Sequence, residues 1–232
     1  FGVTVCNVRD YSTDSVAQHT LATTLALLQN IGYYHQFVHS GAYADCPVFT
    51  HFGHPWYELA GKTWGIIGLG AIGSKVAEIA SALGCRILYY SSSGIDRSDQ
   101  YQRADLDSLL GQSQIVSIHS PLNENTHGLL NATNIKLMRP EAILVNVGRG
   151  GIVDESDLAE ALNNKIIRGA AVDVFTSEPI QPESPLLKVD SQNILLTPHI
   201  AWGSTEARAR VISGVAANIK AYFQGAPSNV VS

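Results

Sequence analysis

The stretch KTWGIIGLGAIG, residues 62–73, decides how the rest of this sequence is interpreted. Its first half is a short apolar run that ends in glycine, which is typical of a buried β-strand. Gly68, Gly70 and Gly73 follow with the spacing G-x-G-x-x-G, and apolar residues then recur at helical intervals as far as Gly84. Such glycines permit a sharp turn, a close approach of the backbone to a pyrophosphate and tight packing of helix against strand. This context predicts a dinucleotide-binding βα unit rather than an ordinary glycine turn.

Length and composition limit the classes of protein to consider. The 232 residues suffice for one large domain or two small ones, and 45% hydrophobic against 15% charged residues can bury a substantial core. The net charge of −5 gives no reason to expect a nucleic-acid partner. No apolar run has membrane-spanning length and no signal-peptide pattern stands out, so we expect no membrane association. Cys6, Cys46 and Cys85 lie far apart without metal-ligand spacing, which favours reduced thiols in a cytoplasmic protein.

Strand-like and helical segments alternate along the chain. Apolar runs predict strands at residues 3–8, 64–67, 86–90, 115–118, 142–147, 170–175 and 194–197. Helical spacing predicts helices from residue 13 to about 39, from the glycine turn to Gly84, around 106–110, and at 131–138, 156–163 and 204–223. Buried strands that alternate with helices favour a parallel sheet covered on both faces. The predicted fold class is therefore α/β, a doubly wound parallel sheet of the Rossmann-like type.

The first helix and the segment after it precede the dinucleotide-binding βα unit in the sequence. The helix is long and apolar on more than one face, a pattern found at domain or subunit contacts and almost as often in plain core helices. Residues 42–60 predict an irregular arm that contains His51 and His54, with His39 nearby. Loop histidines without a repeated ligand spacing are usually solvated, so we predict no metal site.

The end of the second predicted strand bears on which dinucleotide binds. In the dinucleotide fingerprint an acidic residue near this point holds the adenosine ribose hydroxyls. Ser91 takes that place here, so no carboxylate would repel a ribose 2′-phosphate, and Arg97 is close enough in sequence to pair with one. NADP is therefore an option. Serine can also hydrogen-bond an unphosphorylated ribose, so NAD is an option as well.

Three polar residues that follow three different buried strands form the candidate catalytic set: Arg149, Glu178 and His199. In doubly wound sheets ligands bind beyond the carboxyl ends of the strands, so we expect the three to converge on the side of the glycine turn. A histidine exchanges a proton with an alcohol or ketone near neutral pH, and a neighbouring glutamate holds its tautomer and stabilises the imidazolium. An arginine offers a planar fork for a carboxylate and polarises a carbonyl oxygen.

Five stretches together resemble the NAD(P)-dependent D-2-hydroxyacid dehydrogenases. They are GLGAIG, HSPLNENTHGLL, ILVNVGRGGIVDE, GAAVDVFTSEP and ILLTPHIAW. The resemblance implies that Arg149 binds the 2-oxo acid, that His199 is the proton donor or acceptor and that Glu178 is its carboxylate partner. It also implies that Asp173 lies near the nicotinamide amide. The predicted contacts to NAD or NADP are Gly68, Leu69, Gly70, Ala71, Ile72, Gly73, Ser91, His119, Ser120, Pro121, Thr126, Val147, Gly148, Arg149, Asp173, His199 and Ala201.

The same resemblance implies a domain organisation and partners. Family members carry an N-terminal substrate-binding domain, of which residues 1–11 would be the tail. Residues 12–203 would form the dinucleotide-binding domain, and residues 204–232 a C-terminal helix that returns to the other domain. Such a chain should hold the cofactor and the triad but not the complete substrate cleft. The first helix and its arm would form a homodimer, and the substrate would be a small 2-oxo or 2-hydroxy acid.

One further segment bears on the reaction within this family. The segment HIAWGSTEARAR, residues 199–210, resembles the hydroxypyruvate/glyoxylate reductase (glycerate dehydrogenase) branch. A dinucleotide-sensing corepressor without turnover and a phosphite or other small-anion dehydrogenase stay open as alternatives. A formate dehydrogenase would pair its histidine with a glutamine, so Glu178 argues against that activity.

Overall fold

Seven parallel strands form the centre of the computed structural model, which describes residues 3–231. They are β1 (Thr63–Ile67), β2 (Arg86–Tyr90), β3 (Gln102–Arg103), β4 (Ile115–Ile118), β5 (Ile143–Asn146), β6 (Gly169–Val172) and β7 (Ile194–Leu196). Their order in the sheet is β3-β2-β1-β4-β5-β6-β7. The direction of sheet growth reverses between β1 and β4, and such a switch point opens a crevice at the carboxyl ends of the strands. The predicted doubly wound parallel sheet is confirmed.

Helices cover both faces of this sheet. They are α1 (Thr13–Leu28), α2 (Ile31–His39), α3 (Ala71–Ala82), α4 (Leu106–Gln112), α5 (Ala132–Ile135), α6 (Glu155–Asn163) and α7 (Thr205–Phe223). On one face α1 and α3 share a core with Trp64, Ile66 and Tyr89. On the other face α4, α5 and α6 share a core with Ile67 and Leu144. Because side chains alternate along each strand, both layers bury apolar residues from the same strands.

The predicted helix over residues 13–39 is wrong as a single element. The structure has two helices, α1 and α2, separated at Asn30, whose φ of 52° lies in the left-handed region. The side chain of Asn30 holds this break, because its Nδ2 donates to the carbonyl oxygen of Pro55 at 2.9 Å. Arg168 donates to the carbonyl oxygen of Leu28 at 3.1 Å, at the end of α1. Residues 42–60 are irregular apart from one short 3-10 turn, as predicted.

The predicted strand over residues 3–8 is also wrong. Cys6 forms only an isolated antiparallel bridge with Val230, beside a hydrogen bond from Val231 N to the Val5 carbonyl oxygen at 2.9 Å. Asn218 of α7 donates to the carbonyl oxygen of Asn7 at 2.8 Å. The beginning and the end of the described chain therefore run side by side against α7. A short apolar stretch forms a full strand only where a neighbouring strand pairs with it along its length.

Several helices and strands end at residues other than those predicted. The helix predicted at 131–138 is only the four-residue α5, and the strands predicted at 142–147 and 170–175 end earlier, at Asn146 and Val172. The short strand β3 was not predicted. The N-cap of α6 is Asp154, and its carboxylate accepts from two backbone N–H groups. Within residues 3–231 no helix combines the length and apolarity that a membrane span requires.

Candidate active site

Close contacts exclude side chains at two glycines of the turn between β1 and α3. Gly68 has a φ of +94°, and a Cβ there would collide with the hydroxyl oxygen of Ser120. A Cβ at Gly73 would collide with the carbonyl oxygen of Gly68. Gly70 is the N-cap of α3 and has open space in front of it. The turn therefore presents the first N–H groups of α3 to a free crevice, which is the arrangement that binds an anion.

The crevice beside this turn is a cavity of about 240 Å³. Its lining combines Gly68, Leu69 and Gly70 of the turn with residues 91–93, Arg97 and residues 119–121. The structure thus brings the end of β2 and the end of β4 to the two sides of the glycine turn. Of the other predicted contacts in the motif, Ala71 and Ile72 form the first residues of α3.

Two buried polar atoms at this cavity have no partner among the described residues: His119 Nδ1 and Ser120 Oγ. The hydroxyl of Ser117 accepts from Trp64 Nε1 at 2.9 Å and lies 2.9 Å from His119 Nε2. Burial lowers the pKa of His119 to about 3, so its ring is neutral near pH 7. A neutral imidazole nitrogen and a free hydroxyl suit the polar groups of a dinucleotide, so the residues present fit NAD or NADP.

Thr126 supports the loop that lines the cavity, and its predicted contact with the cofactor stays a prediction. Its side chain is buried and its hydroxyl donates to the carbonyl oxygen of Pro121 at 2.7 Å. It also accepts from the backbone N–H of Asn123 at 2.8 Å. Thr126 is absent from the described lining of the cavity, whereas Pro121 and Asn123 are part of it. In the structure Thr126 therefore holds the loop that lines the cavity.

The clearest side-chain pair at the carboxyl edge of the sheet joins the loops after β6 and β7. Nδ1 of His199 lies 2.7 Å from Oε2 of Glu178, and Oε1 of Glu178 accepts from the N–H of Phe175 at 2.9 Å. Desolvation raises the pKa of Glu178, but the hydrogen bonds from His199 and Phe175 and the charges of His199 and Arg149 lower it overall. The predicted proximity of imidazole and carboxylate is present.

Arg149 follows β5 in a turn that its neighbours define closely. Asn146 Nδ2 donates to the Arg149 carbonyl oxygen at 3.1 Å, and Asn146 Oδ1 accepts from Gly148 N at 3.2 Å. The guanidinium donates to the carbonyl oxygen of Gly148 at 2.7 Å. Gly148 and Val147, both predicted cofactor contacts, belong to the same turn, and a Cβ at Gly148 would press on the Ser120 carbonyl at 3.0 Å.

Asp173 is a buried carboxylate that organises the loop of His199. Its Oδ1 accepts from the Thr197 hydroxyl at 2.5 Å and from Ile200 N at 2.9 Å, and its Oδ2 accepts from Ala201 N at 2.9 Å. Its carbonyl oxygen accepts from His199 N at 2.8 Å. The expected position near a nicotinamide amide stays a prediction. Ala201, predicted to line the cofactor, is buried at the end of this network.

Sequence reasoning missed three residues of the site: Ser117, Asn146 and Thr197. Ser117 and Asn146 are polar residues inside otherwise apolar strands, IVSI and ILVN, and both are buried. A buried polar side chain needs a partner, so these positions could have been singled out from the sequence. Thr197 follows β7 and carries no comparable signal. Among residues 3–231, no group of three or more His, Cys, Asp or Glu side chains could hold a metal ion.

The chain is similar in sequence to known proteins of one family. The family model described as "D-isomer specific 2-hydroxyacid dehydrogenase, NAD binding domain" matches residues 21–201. A hydroxypyruvate reductase of Blautia hydrogenotrophica is 36% identical over 233 residues, which is 100% of this chain and 72% of that protein. A glycerate dehydrogenase of Methylorubrum extorquens is 37% identical over 230 residues, covering 99% of this chain and 72% of its own length.

One solved structure is similar to this chain in both sequence and fold. An acyclic imino acid reductase in complex with NADPH and D-Arg superposes with a TM-score of 0.89 at 32% identity, over 99% of this chain and 71% of that one. The match covers the sheet, the glycine turn and the loops that carry Arg149, Glu178 and His199. This chain therefore belongs to the D-isomer-specific 2-hydroxyacid dehydrogenase family and takes NAD or NADP as its cofactor.

Proposed function

We propose that this protein reduces a small 2-oxo acid, hydroxypyruvate or glyoxylate, to the corresponding D-2-hydroxy acid and catalyses the reverse oxidation. The reaction class is that of its family, a NAD(P)-dependent dehydrogenase that acts on the CH–OH group of 2-hydroxy acids. The single observation that carries the proposal is the His199–Glu178 pair, at 2.7 Å, at the same edge of the sheet as Arg149 and the glycine turn.

Each of the three side chains has a distinct task in this proposal. Arg149 binds the carboxylate of the substrate through two parallel hydrogen bonds and polarises its 2-oxo group. His199 donates a proton to the carbonyl oxygen during reduction and accepts it back during oxidation. Glu178 accepts a hydrogen bond from Nδ1, which leaves Nε2 as the nitrogen that exchanges the proton. The bound nicotinamide cofactor supplies or accepts the hydride.

Two observations support hydroxypyruvate or glyoxylate as the substrate. The relatives named above are a hydroxypyruvate reductase and a glycerate dehydrogenase. The loop of His199 also continues into residues 199–210, whose sequence resembles that branch. Both proposed substrates are short 2-oxo acids with one carboxylate for Arg149 and one ketone or aldehyde oxygen for His199.

We also propose that NADPH is preferred over NADH. Ser91 is 7% exposed at the end of β2, and its hydroxyl lies 3.3 Å from that of Ser93. Among the described residues that line this cavity, none is acidic, and Arg97 contributes a positive charge. A cavity with hydroxyls and a guanidinium favours a ribose 2′-phosphate, whereas a carboxylate would repel it.

The domain organisation is part of the proposal. Residues 1–11 and 204–232 belong with a substrate-binding domain, and residues 12–203 form the dinucleotide-binding domain. The support is the exposed apolar face of α7, where Ile212 and Phe223 are 68% and 82% exposed. A helix that buries only Ala207 and Asn218 has most of its apolar surface available to a further domain.

We propose that the protein forms a homodimer through α1, α2 and the arm. Phe49 and Phe52 of the arm are 91% and 89% exposed, which is unusual for large apolar side chains. A groove of about 500 Å³ lies beside α2 and includes Leu27, Phe37 and Leu195 in its lining. The arm of one copy and the groove of a second copy have matching apolar character, as a two-fold interface requires.

We propose a cytoplasmic location as well. The support is that Cys6, Cys46 and Cys85 are all free thiols in the structure. Burial raises the pKa of Cys85 to about 11, so this thiol is unreactive at neutral pH. Free thiols are typical of a reducing compartment.

The proposed activity is tested with the full-length protein by following NADPH and NADH oxidation with hydroxypyruvate and glyoxylate, and NADP+ and NAD+ reduction with phosphite and formate. We expect turnover with the two 2-oxo acids. His199→Ala should abolish turnover while cofactor binding, measured by fluorescence, survives, and His35→Ala on the exposed face of α2 serves as the control. Cofactor binding without turnover of any substrate would instead favour a corepressor-like module.

A further inference from the structure

Helix α1 lies against the loop that carries His199, and one of its side chains reaches into the hydrogen-bond network of that loop. Nε2 of His19 lies 3.1 Å from the hydroxyl oxygen of Thr197. The Thr197 hydroxyl donates its own proton to Asp173 Oδ1 at 2.5 Å, so it accepts from His19. Nε2 of His19 therefore carries the hydrogen, and it lies 3.8 Å from Asp173 Oδ1.

The loop beyond Thr197 needs such support because of its backbone. His199 has a φ of +51°, a left-handed conformation that a residue with a Cβ rarely adopts. Strained residues of this kind persist only where surrounding contacts over-determine them. Asp173 supplies several of these contacts through the N–H groups of Ile200 and Ala201 and through its own carbonyl oxygen.

A second residue of α1 holds the other end of the same loop. The hydroxyl of Ser15 donates to the carbonyl oxygen of Ala201 at 2.6 Å and accepts from Ser204 N at 3.3 Å. Since Ser15 and His19 are four residues apart, they lie on one face of the helix. Helix α1 thus contacts the loop on both sides of His199, at Thr197 and at Ala201.

We propose that His19 is a positioning residue for the His199 imidazole, an inference that rests on the proposed function. His19 donates to Thr197, Thr197 donates to Asp173, and Asp173 holds the backbone from residue 199 to residue 201. Removing the His19 donor leaves the Thr197 oxygen without that partner and the Asp173 carboxylate without its nearest imidazole. The loop then samples positions in which the imidazole is misplaced relative to Glu178 and the substrate.

The test compares two substitutions at one position. His19→Phe keeps a ring of similar size but has no donor, whereas His19→Gln keeps an N–H at a comparable reach. We expect His19→Phe to lower kcat by about tenfold, since a small misplacement of a reacting group slows catalysis strongly. His19→Gln should recover most of that loss.

A double substitution tests whether His19 acts through Thr197. Thr197→Val removes the hydroxyl and preserves the side-chain shape. If the two residues act in series, Thr197→Val combined with His19→Phe should lose little more activity than the more damaging single substitution. Fully additive losses would overturn the proposed route through Thr197.

Hydrogen exchange gives a readout that does not depend on turnover. In His19→Phe the backbone amides of Ile200 and Ala201 should exchange faster, while those of β4 stay unchanged. Equal loss in the Phe and Gln variants, or unchanged kcat and exchange in both, would overturn the inference. If the unsubstituted protein reduces neither 2-oxo acid, the proposed function fails, and the exchange rates alone decide whether His19 holds the loop. Should His19→Phe not fold, His19→Gln and Thr197→Val decide through the same exchange rates.

Discussion

The carboxylate of Glu178 lies 2.7 Å from Nδ1 of His199, and its other oxygen accepts from the N–H of Phe175. The hydrogen bond from Phe175 therefore fixes the orientation of the carboxylate, and the carboxylate in turn orients the imidazole. A histidine held in this way presents a defined tautomer, with Nε2 available to exchange a proton.

Glu178→Gln should impair reduction although the side chain keeps its shape. Glutamine can still accept from Nδ1 through its amide oxygen, but that hydrogen bond is no longer charge-assisted and the amide can also turn its NH2 group toward the ring. We expect kcat/KM for hydroxypyruvate reduction to fall by about tenfold. The measurement is steady-state kinetics, with Glu183→Gln in the same loop as the control. An unchanged kcat/KM would contradict the assigned role of Glu178.

Arg149→Lys should impair the protein although the positive charge is kept. Lysine cannot make the two parallel hydrogen bonds that a guanidinium makes to a carboxylate. The loss of one charge-assisted hydrogen bond is worth about 1.5–3 kcal/mol, so kcat/KM should fall by about 10- to 150-fold. Steady-state kinetics with glyoxylate measure this, and Arg139→Lys, in an exposed ion pair with Glu141 ahead of β5, is the control. Near-normal activity of Arg149→Lys would refute the carboxylate-binding role.

Ser91→Asp should move the cofactor preference from NADPH toward NADH. A carboxylate at the end of β2 would repel a 2′-phosphate and could hydrogen-bond an unphosphorylated ribose. We expect the ratio of kcat/KM for NADPH to that for NADH to fall by at least about tenfold, which corresponds to about 1.4 kcal/mol. Ser98→Asp adds the same charge in the following loop, outside the described lining of the cavity, and should leave the ratio unchanged. An unaltered ratio in Ser91→Asp would show that this position does not read the ribose.

Much of this fold could be predicted because its information is local. The strand β1, the glycine turn and α3 are contiguous, and their order alone identifies the unit. The break at Asn30 was missed because helical periodicity continues on both sides of it. The tail at residues 3–8 was misassigned because its composition suits a strand, while its partner at Val230 lies at the other end of the chain.

The candidate site likewise contains residues that the local sequence predicts and contacts that it does not. Arg149, Glu178 and His199 could be proposed because each follows a buried strand, and parallel strands end at one edge of the sheet. The contact between His19 and Thr197 joins residues 178 positions apart and depends on how α1 packs against the sheet. No periodicity or motif encodes such a contact, so only the three-dimensional arrangement reveals it.

Gly150→Ala should disrupt the site through the backbone alone. Gly150 follows Arg149 and packs so closely on the Phe175 carbonyl that an added Cβ would collide with it. The backbone cannot yield there without moving Arg149 away from the Glu178 loop. We expect a lower melting temperature and a loss of kcat/KM larger than that of Gly111→Ala, where an added Cβ would make only an ordinary contact, 3.7 Å from the Leu137 carbonyl oxygen. Equal effects of the two substitutions would contradict this close packing.

His119→Asn should reduce the amount by which the free energy of unfolding falls as the pH is lowered. Burial holds the pKa of His119 at about 3 in the folded chain, against an ordinary value of 6.5. Below pH 6.5 the unfolded chain therefore binds a proton that the folded chain does not. The stability associated with His119 is complete above pH 6.5 and falls by at most about 1.4 kcal/mol per pH unit toward pH 3. Asparagine does not titrate, so this part of the pH dependence should disappear. Melting temperatures from pH 4 to 7 measure the slope, and His127→Asn, at an exposed histidine outside the proposed dimer surface, should leave it unchanged. An identical slope for His119→Asn and the unsubstituted protein would show that this imidazole is protonated in the folded chain as readily as in water.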